Sequence, residues 1–389
     1  MKILVLNAGS SSLKYNLFDN EKVLIKGQID AIGRKNCEIW ITIDKETIKK
    51  PIRAKKHHDA LTFALNSLIE YKVIKKLNEV KAVGHRIVHG GEYFHKAAII
   101  TQSVINKIKK LQSLAPLHNP HNLAGIFACK KILPKAKQVA VFDTAFHQTM
   151  PKKAFMYALP LTFYKNDKIR RYGFHGTSNK YIAEQTFKIL RKKGRIITCH
   201  LGNGLSLTAI NNGKSVDTSM GLTPLEGIPM GSRCGNLGPE IPIFLARKES
   251  IKRAEEILNK ESGFLGLSGT TDMREIYKRS LKGDKKSKFV LELLAYKIAQ
   301  YIGSYTTTMG GLDALVFTGG IGENAFYVRK DVCSYLKWMG LELDAKKNRK
   351  NEIDISGEKS KIYTFVIPTN EELQIARETR NILKKSNGN

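Results

Sequence analysis

Six side chains in this sequence have the type and surroundings to do chemistry on anions: Arg86, Asp143, His175, His200, Arg233 and Glu371. Arg86 sits in Gly84-His85-Arg86-Ile87-Val88-His89-Gly90-Gly91 and Arg233 in a run rich in Gly, Met and Pro, neither with the composition of a solvated surface. A guanidinium fork suits bidentate recognition of a carboxylate or phosphate; an ordinary ion pair is the alternative use. His175 has glycines close on both sides. His200 ends an apolar run and is as well explained as a structural histidine as a phosphate ligand. Asp143 and Glu371 each follow an apolar stretch. Acids at strand ends facing a cleft suit magnesium, held directly or through its waters, and a helix cap or loop ion pair is the plainer reading of each.

Three glycine-rich turns, 8–12, 202–206 and 319–324, each follow an apolar run and add a second kind of chemistry. In the first, Ile3-Leu4-Val5-Leu6-Asn7 leads into Ala8-Gly9-Ser10-Ser11-Ser12-Leu13-Lys14. Small residues let backbone N–H groups approach an anion while hydroxyls and a lysine add donors, so this hairpin is either a phosphate cradle or an ordinary polar tip. Three such turns in one chain point to a nucleotide. No Walker A loop is present: Gly213-Lys214-Ser215 resembles half of one, but Thr208 stands where the first glycine belongs. Gly320-Ile321-Gly322-Glu323-Asn324-Ala325 matches the dinucleotide pattern G-x-G-x-x-A, with acids further on at Glu342 and Asp344. That reading is the enzymatic rival, and it leaves the two hairpin turns unexplained.

These groups need elements to hold them. Apolar runs at 3–6, 138–143 and 314–318 read as buried strands, an alternating strand begins at 14–18, and further strands are expected at 23–28, 37–43, 196–201, 205–210, 215–218 and 362–368. Asn211-Asn212-Gly213 is a strong hairpin turn. Helical spacing marks 57–71, 104–114, 122–132, 289–312 and 370–385, with Pro116 and Pro120 separating the second from the third. A strand carrying one arginine and two histidines is expected at 82–91. Strand, small-residue turn, strand: the opening of the chain is echoed near its midpoint. The expected fold class is therefore α/β with mixed sheets in two related lobes and a cleft between them.

Length and composition agree. The 389 residues suit two or three domains, and 42% hydrophobic residues fit a globular protein. Five scattered cysteines without a Cys-x-x-Cys pair read as reduced thiols with no structural zinc. No apolar stretch approaches a membrane span and no secretory leader is evident, so the expected location is cytoplasmic, with no membrane partner. The net charge of +30 raises nucleic-acid binding as a different-class alternative. The lysines are dispersed in short clusters without interleaved aromatics, which reads as solvated surface and no specific nucleic acid.

On Asn7-Ala8-Gly9-Ser10-Ser11-Ser12-Leu13-Lys14, the segments 84–91, 142–151 and 173–178, His200-Leu201-Gly202-Asn203-Gly204, the segments 217–221 and 223–227, Gly320-Ile321-Gly322-Glu323-Asn324 and the segment 368–373, the sequence resembles the acetate and propionate kinases over nearly its whole length. The resemblance implies the duplicated, ribonuclease H-like fold shared with actin, sugar kinases and chaperone ATPases, with an interlobe active-site cleft. It implies an N-terminal lobe of 1–150, to which the helix 372–389 is a candidate to return, and a C-terminal lobe of 151–371 for nucleotide binding and dimerisation. It further implies a homodimer, ATP/ADP as substrate, Mg2+ with Mn2+ as a substitute, and reversible conversion of acetate to acetyl phosphate, with propionate as the alternative acceptor. Matched position by position, Asn7 and Glu371 are the metal residues and Lys14 an ATP residue. Arg86 is the substrate-carboxylate arginine, Asp143 the essential acid, and His175 and Arg233 steady the phosphoryl group. His200, Leu201, Gly202, Asn203, Gly204, Asp272, Met273, Arg274, Gly320, Ile321, Gly322, Glu323 and Asn324 match the nucleotide site, and Val88, Leu117, Phe174 and Pro224 the pocket for the substrate's methyl group. The sequence departs from the family pattern at Asn179, at Gly238 and in a 268–274 loop one residue shorter than usual.

Overall fold

A computed structural model describes residues 1–116 and 118–386. The chain divides into two compact units, Met1–Gln148 joined by the segment from Asn370 onward, and Thr149–Thr369.

The first unit is built on an eight-stranded sheet of β1 (Lys2–Ala8), β2 (Leu13–Asp19), β3 (Lys22–Asp30), β4 (Glu38–Ile43), β5 (Glu46–Pro51), β6 (Val80–Ile87), β7 (Ala98–Ile99) and β8 (Lys137–Phe142), ordered β5-β4-β3-β2-β1-β6-β8-β7. Strands β1 to β5 form an antiparallel meander, whereas β6 and β8 add parallel to β1. The period of two in β1 sorts its apolar run onto two cores. Leu4 and Leu6 pack with Leu61, Leu65 and Leu68 of the helix His57–Glu70. Ile3 and Val5 pack with Ile375 and Ala376 of the C-terminal helix Glu371–Ser386. Burial on both faces explains why β1 lacks polar alternation. Gly84 in β6 has a separate reason: a Cβ there would lie 2.5 Å from Thr379 Oγ1, so only glycine lets the C-terminal helix come this close.

The second unit repeats the plan with β9 (Arg195–Leu201), β10 (Leu205–Asn211), β11 (Lys214–Thr218), β12 (Ala314–Thr318) and β13 (Tyr363–Val366), ordered β11-β10-β9-β12-β13. Again a meander is extended by two parallel strands. The five strands correspond to β3-β2-β1-β6-β8, and this shared order makes the fold a duplicated α/β one with mixed sheets. Asn212 and Gly213, at φ 51° and 85°, turn the β10–β11 hairpin as Asn-Gly does in a type I′ turn.

Two local readings need correction. Pro120 does not separate helices: it lies within the first turn of the helix Asn119–Ile132, where the missing N–H has no intrahelical partner to lose. The third glycine run is not a loop before a helix but is itself the short helix Gly319–Asn324. Asp344, an acid of the dinucleotide reading, is occupied as the N-cap of the helix Ala345–Lys350, and β12 belongs to a mixed sheet, which removes that rival's context. All five cysteines are free thiols. Among the described residues no helix is long and apolar enough to cross a membrane.

Candidate functional site

In the first unit the register gathers the polar groups at one edge. Leu6 pairs with His85 across β1 and β6, and Arg86 pairs with Val141 across β6 and β8. Asn7, Arg86 and Asp143 therefore occupy the carboxyl ends of three adjacent parallel strands, where open α/β sheets bind ligands. Arg86 Nε and Nη2 donate to Asp143 Oδ2 at 3.0 and 2.6 Å, and Arg86 Nη1 lies 3.6 Å from Glu371 Oε2 at the start of the C-terminal helix. Asp143 is buried and Arg86 nearly so. Burial pulls the Arg86 pKa down, but Asp143 and Glu371 more than offset this and the guanidinium stays charged. Burial pushes the Glu371 carboxyl up to about 7, Arg86 opposes the rise, and Asp143 and Glu372 add to it. Lys14, on the exposed side of β2, faces Glu371 with positive charge.

The second unit places glycines and neutral groups at the matching strand ends. The turn after β9 is closed by Gly202 N–H donating to Gly204 O at 3.1 Å. A Cβ on Gly204 would lie 3.2 Å from His175 and 3.6 Å from Arg233 Nη1, so these three meet. His175 holds the left-handed backbone conformation, φ 57°, just before the helix Gly176–Leu190, a conformation that costs energy outside glycine. Its ring stacks on His200 at 4.2 Å, and its Nδ1 lies 2.9 Å from Ser206 Oγ. His200 Nδ1 is held by Ser178 Oγ at 2.8 Å. Arg233 is half-buried, and its hydrogen bonds run to Pro224 O (3.4 Å) and Met230 Sδ (3.7 Å). Among the described residues no carboxylate pairs with it, and burial lowers its pKa. An enclosed cation without a counter-charge is prepared for an anion.

A cavity of about 830 Å3 opens beside these groups within the second unit, in the size range of small-molecule sites. Gly202, Asn203, Asp272, Met273, Arg274, Gly320, Ile321 and Asn324 of the expected nucleotide residues line it. The others stand back. Leu201 is fully buried in the sheet, Gly322 packs on β9, His200 lies beneath the turn, and Gly204 closes that turn on the side of His175 and Arg233. Glu323 Oε1 accepts from Gly319 N–H at 2.8 Å and Thr369 N–H at 3.1 Å, so that oxygen braces the glycine helix from within. Asp272 caps the helix Met273–Leu281 and pairs with Arg274 at 2.7 Å, which holds its carboxyl down at about 2.

Sequence reasoning missed Tyr277 and Tyr327, which line the cavity as a stacked pair 3.6 Å apart with planes 3° from parallel. The available signals were the i, i+4 spacing of Met273 and Tyr277 and the aromatic pair Phe326-Tyr327 after the glycine helix. It also missed the brace of the segment bearing Pro224. There Arg171 pairs with Glu226 at 2.5 Å and donates to Thr218 O and Ser219 O, while Tyr157 hydrogen-bonds the same glutamate. Of the expected methyl pocket, Val88 is a half-buried residue of the first unit. Phe174 is buried and Pro224 half-buried in the second. Leu117 lies outside the described residues.

The donors in the first unit are hard oxygens: the carboxylates of Asp143 and Glu371 and the carboxamide of Asn7. Among the described residues no three His, Cys, Asp or Glu side chains form a metal cage. Such a sparse oxygen set fits Mg2+, which keeps waters and substrate phosphates as its other ligands.

The family model described as the Acetokinase family matches residues 2–377. The acetate kinase of Carboxydothermus hydrogenoformans is 51% identical over 97% of this chain and 98% of its own, and that of Thermotoga maritima 50% identical over 99% of each. Among solved structures, the chain is similar to a propionate kinase from Francisella tularensis, with TM-score 0.94 and 44% identity. It is also similar to the acetate kinase of Porphyromonas gingivalis, with TM-score 0.93 and 43% identity. In both cases 98% of this chain and 99% of the other are covered.

Proposed function

From the premise that this chain belongs to the acetokinase family and is a phosphotransferase using ATP/ADP, we propose that it transfers the γ-phosphoryl group of ATP reversibly to the carboxylate of acetate. The observation that carries the reading is the contrast between two half-buried arginines. Arg86 is oriented by a carboxylate at the sheet edge, and Arg233 is left without one beside His175 and the cavity.

A carboxylate is ionised at neutral pH, so its attack needs no general base. One carboxylate oxygen bonds the γ-phosphorus as the bond to the β-bridging oxygen breaks, and ADP leaves with that electron pair. No proton moves. What the step needs is relief of repulsion between anions, in-line alignment and stabilisation of spreading charge. In this reading Arg86 binds the acceptor carboxylate and Asp143 holds the guanidinium in aim. Arg233 and His175 meet the moving phosphoryl group. Gly202, Asn203 and the helix Gly319–Asn324 hold the nucleotide. Mg2+, which Asn7 and Glu371 would hold chiefly through water with Mn2+ as a substitute, would neutralise nucleotide phosphate charge. The same reading makes the enzyme a homodimer of the cytoplasm.

The test is an acyl-hydroxamate assay with ATP, Mg2+ and a series of short carboxylates. Acetate is expected to give the largest kcat/KM and propionate a smaller but measurable one. The similarity to a propionate kinase makes propionate the second reading. A preference for propionate would establish that reading, and no acyl phosphate from any acid would overturn both.

A further inference from the structure

We infer that Asn122 is a positioning residue that sets which short carboxylate this enzyme prefers, an inference resting on the carboxylate-kinase reading above. Beyond β6 the chain enters the segment 88–91, which no strand pairs. Its amides are instead held by side chains. Val88 N–H donates to Asn122 Oδ1 at 3.1 Å, His89 N–H to Asn119 Oδ1 at 3.2 Å, Gly90 N–H to Thr144 Oγ1 at 3.0 Å and Gly91 N–H to His89 Nδ1 at 3.0 Å.

Asn122 differs from the other holders because it has a second grip in a different segment. Its Nδ2 donates to Ala8 O at 2.9 Å, the residue after Asn7 at the end of β1. One partner is a backbone N–H and the other a backbone carbonyl, so the orientation of the carboxamide is unambiguous. The side chain is 3% exposed, in the first turn of the helix Asn119–Ile132. One turn further on, a Cβ on Gly125 would lie 3.2 Å from Ala8 Cβ, so the helix sits tightly against the same strand end. A single rigid amide thus fixes the backbone of Val88, a wall of the acceptor's methyl pocket in that reading, at a set distance from the Asn7–Ala8 strand end. Asn119 grips the amide and carbonyl of His89 alone and cannot perform this spacing. Removing the Asn122 carboxamide frees Val88 to retreat, and the added methylene of propionate then meets less resistance. A buried Asn at this point needs no contact with substrate to act on specificity.

The ratio of kcat/KM for acetate to that for propionate is independent of the fraction of active enzyme, so general damage to the fold does not move it. It is measured in the wild type, Asn122→Ala, Asn122→Asp and Leu68→Ala, the last a buried residue of the same unit on another helix. Asn122→Ala should shift the ratio at least threefold toward propionate. Asn122→Asp, which keeps the acceptor for Val88 N–H, should stay closer to the wild-type ratio, and Leu68→Ala should leave it unchanged. If Asn122→Ala does not fold, Asn122→Ser, whose short side chain cannot reach both partners, carries the same expectation. An unchanged ratio in the truncated variant, or an equal shift in Leu68→Ala, overturns the inference while the wild type remains an active carboxylate kinase. A wild type inactive on every acid overturns the carboxylate-kinase reading and the inference with it.

Discussion

At the carboxyl ends of β1, β6 and β8 the first unit presents Asn7, Arg86 and Asp143. At the matching ends of β9, β12 and β13 the second presents the Gly202 turn, the Gly319 helix and Thr369. One strand order thus carries charge in one copy and exposed backbone in the other. In the first, Arg86 is fixed by Asp143 and flanked by Glu371. In the second, Arg233 leans on a carbonyl and a sulfur. The lesson is that sheet topology supplies positions, and the residues at strand ends decide their chemistry: in the proposed reading, charge suits the acceptor anion and free backbone the nucleotide.

The two arginines test this most sharply. Arg86→Ala and Arg233→Ala should each lower kcat by at least about 10³-fold, with losses far from additive in the double variant. Their effects on stability should diverge. Arg86→Ala leaves Asp143 buried without its cation and should cost about 3–5 kcal/mol. Arg233→Ala removes a half-buried charge that no carboxylate among the described residues pairs with, and should leave the denaturant midpoint unchanged or raised. Equal destabilisation by both would erase the contrast.

Mild acid should act on the first unit through two buried histidines. Burial lowers His85 and His89 to about 4, against an ordinary value near 6.5, and a bond to Gln138 only partly opposes this for His85. Each histidine is therefore neutral when folded but protonates in the unfolded chain first. Their contribution is complete above about pH 6.5 and is lost as pH falls toward 4, by about 3 kcal/mol each at most. Unfolding free energy against pH should show this slope in the wild type and a shallower one in His85→Gln; identical slopes would exclude His85.

A smaller effect is expected at the metal. Glu371→Ala should raise the Mg2+ concentration for half-maximal rate by roughly tenfold, as loss of a supporting ligand does. An unchanged requirement removes Glu371 from the metal's surroundings. Smallest of all, Glu323→Gln keeps one acceptor oxygen and should raise the KM for ATP by only about threefold, since each bond it weakens is a backbone contact worth about 1 kcal/mol. A matching rise in the KM for acetate would show that Glu323 does not act on the nucleotide side alone.

The sequence alone determined the strands, because burial on both faces of β1, β9 and β12 demands unbroken apolar runs and Asn212-Gly213 demands a turn. It also determined the duplication and, through its glycine and arginine segments, most of the residues at strand ends. What it left open was partnership. Nothing in the spacing of 86, 143 and 371 says that one guanidinium sits between two carboxylates, since strand order and register bring them together. The Tyr277–Tyr327 stack joins two helices far apart in sequence, and Asn122 reaches back 34 positions to Val88 and 114 to Ala8. Such pairings arise only when distant elements pack, and a local pattern carries no record of which buried polar group will satisfy which.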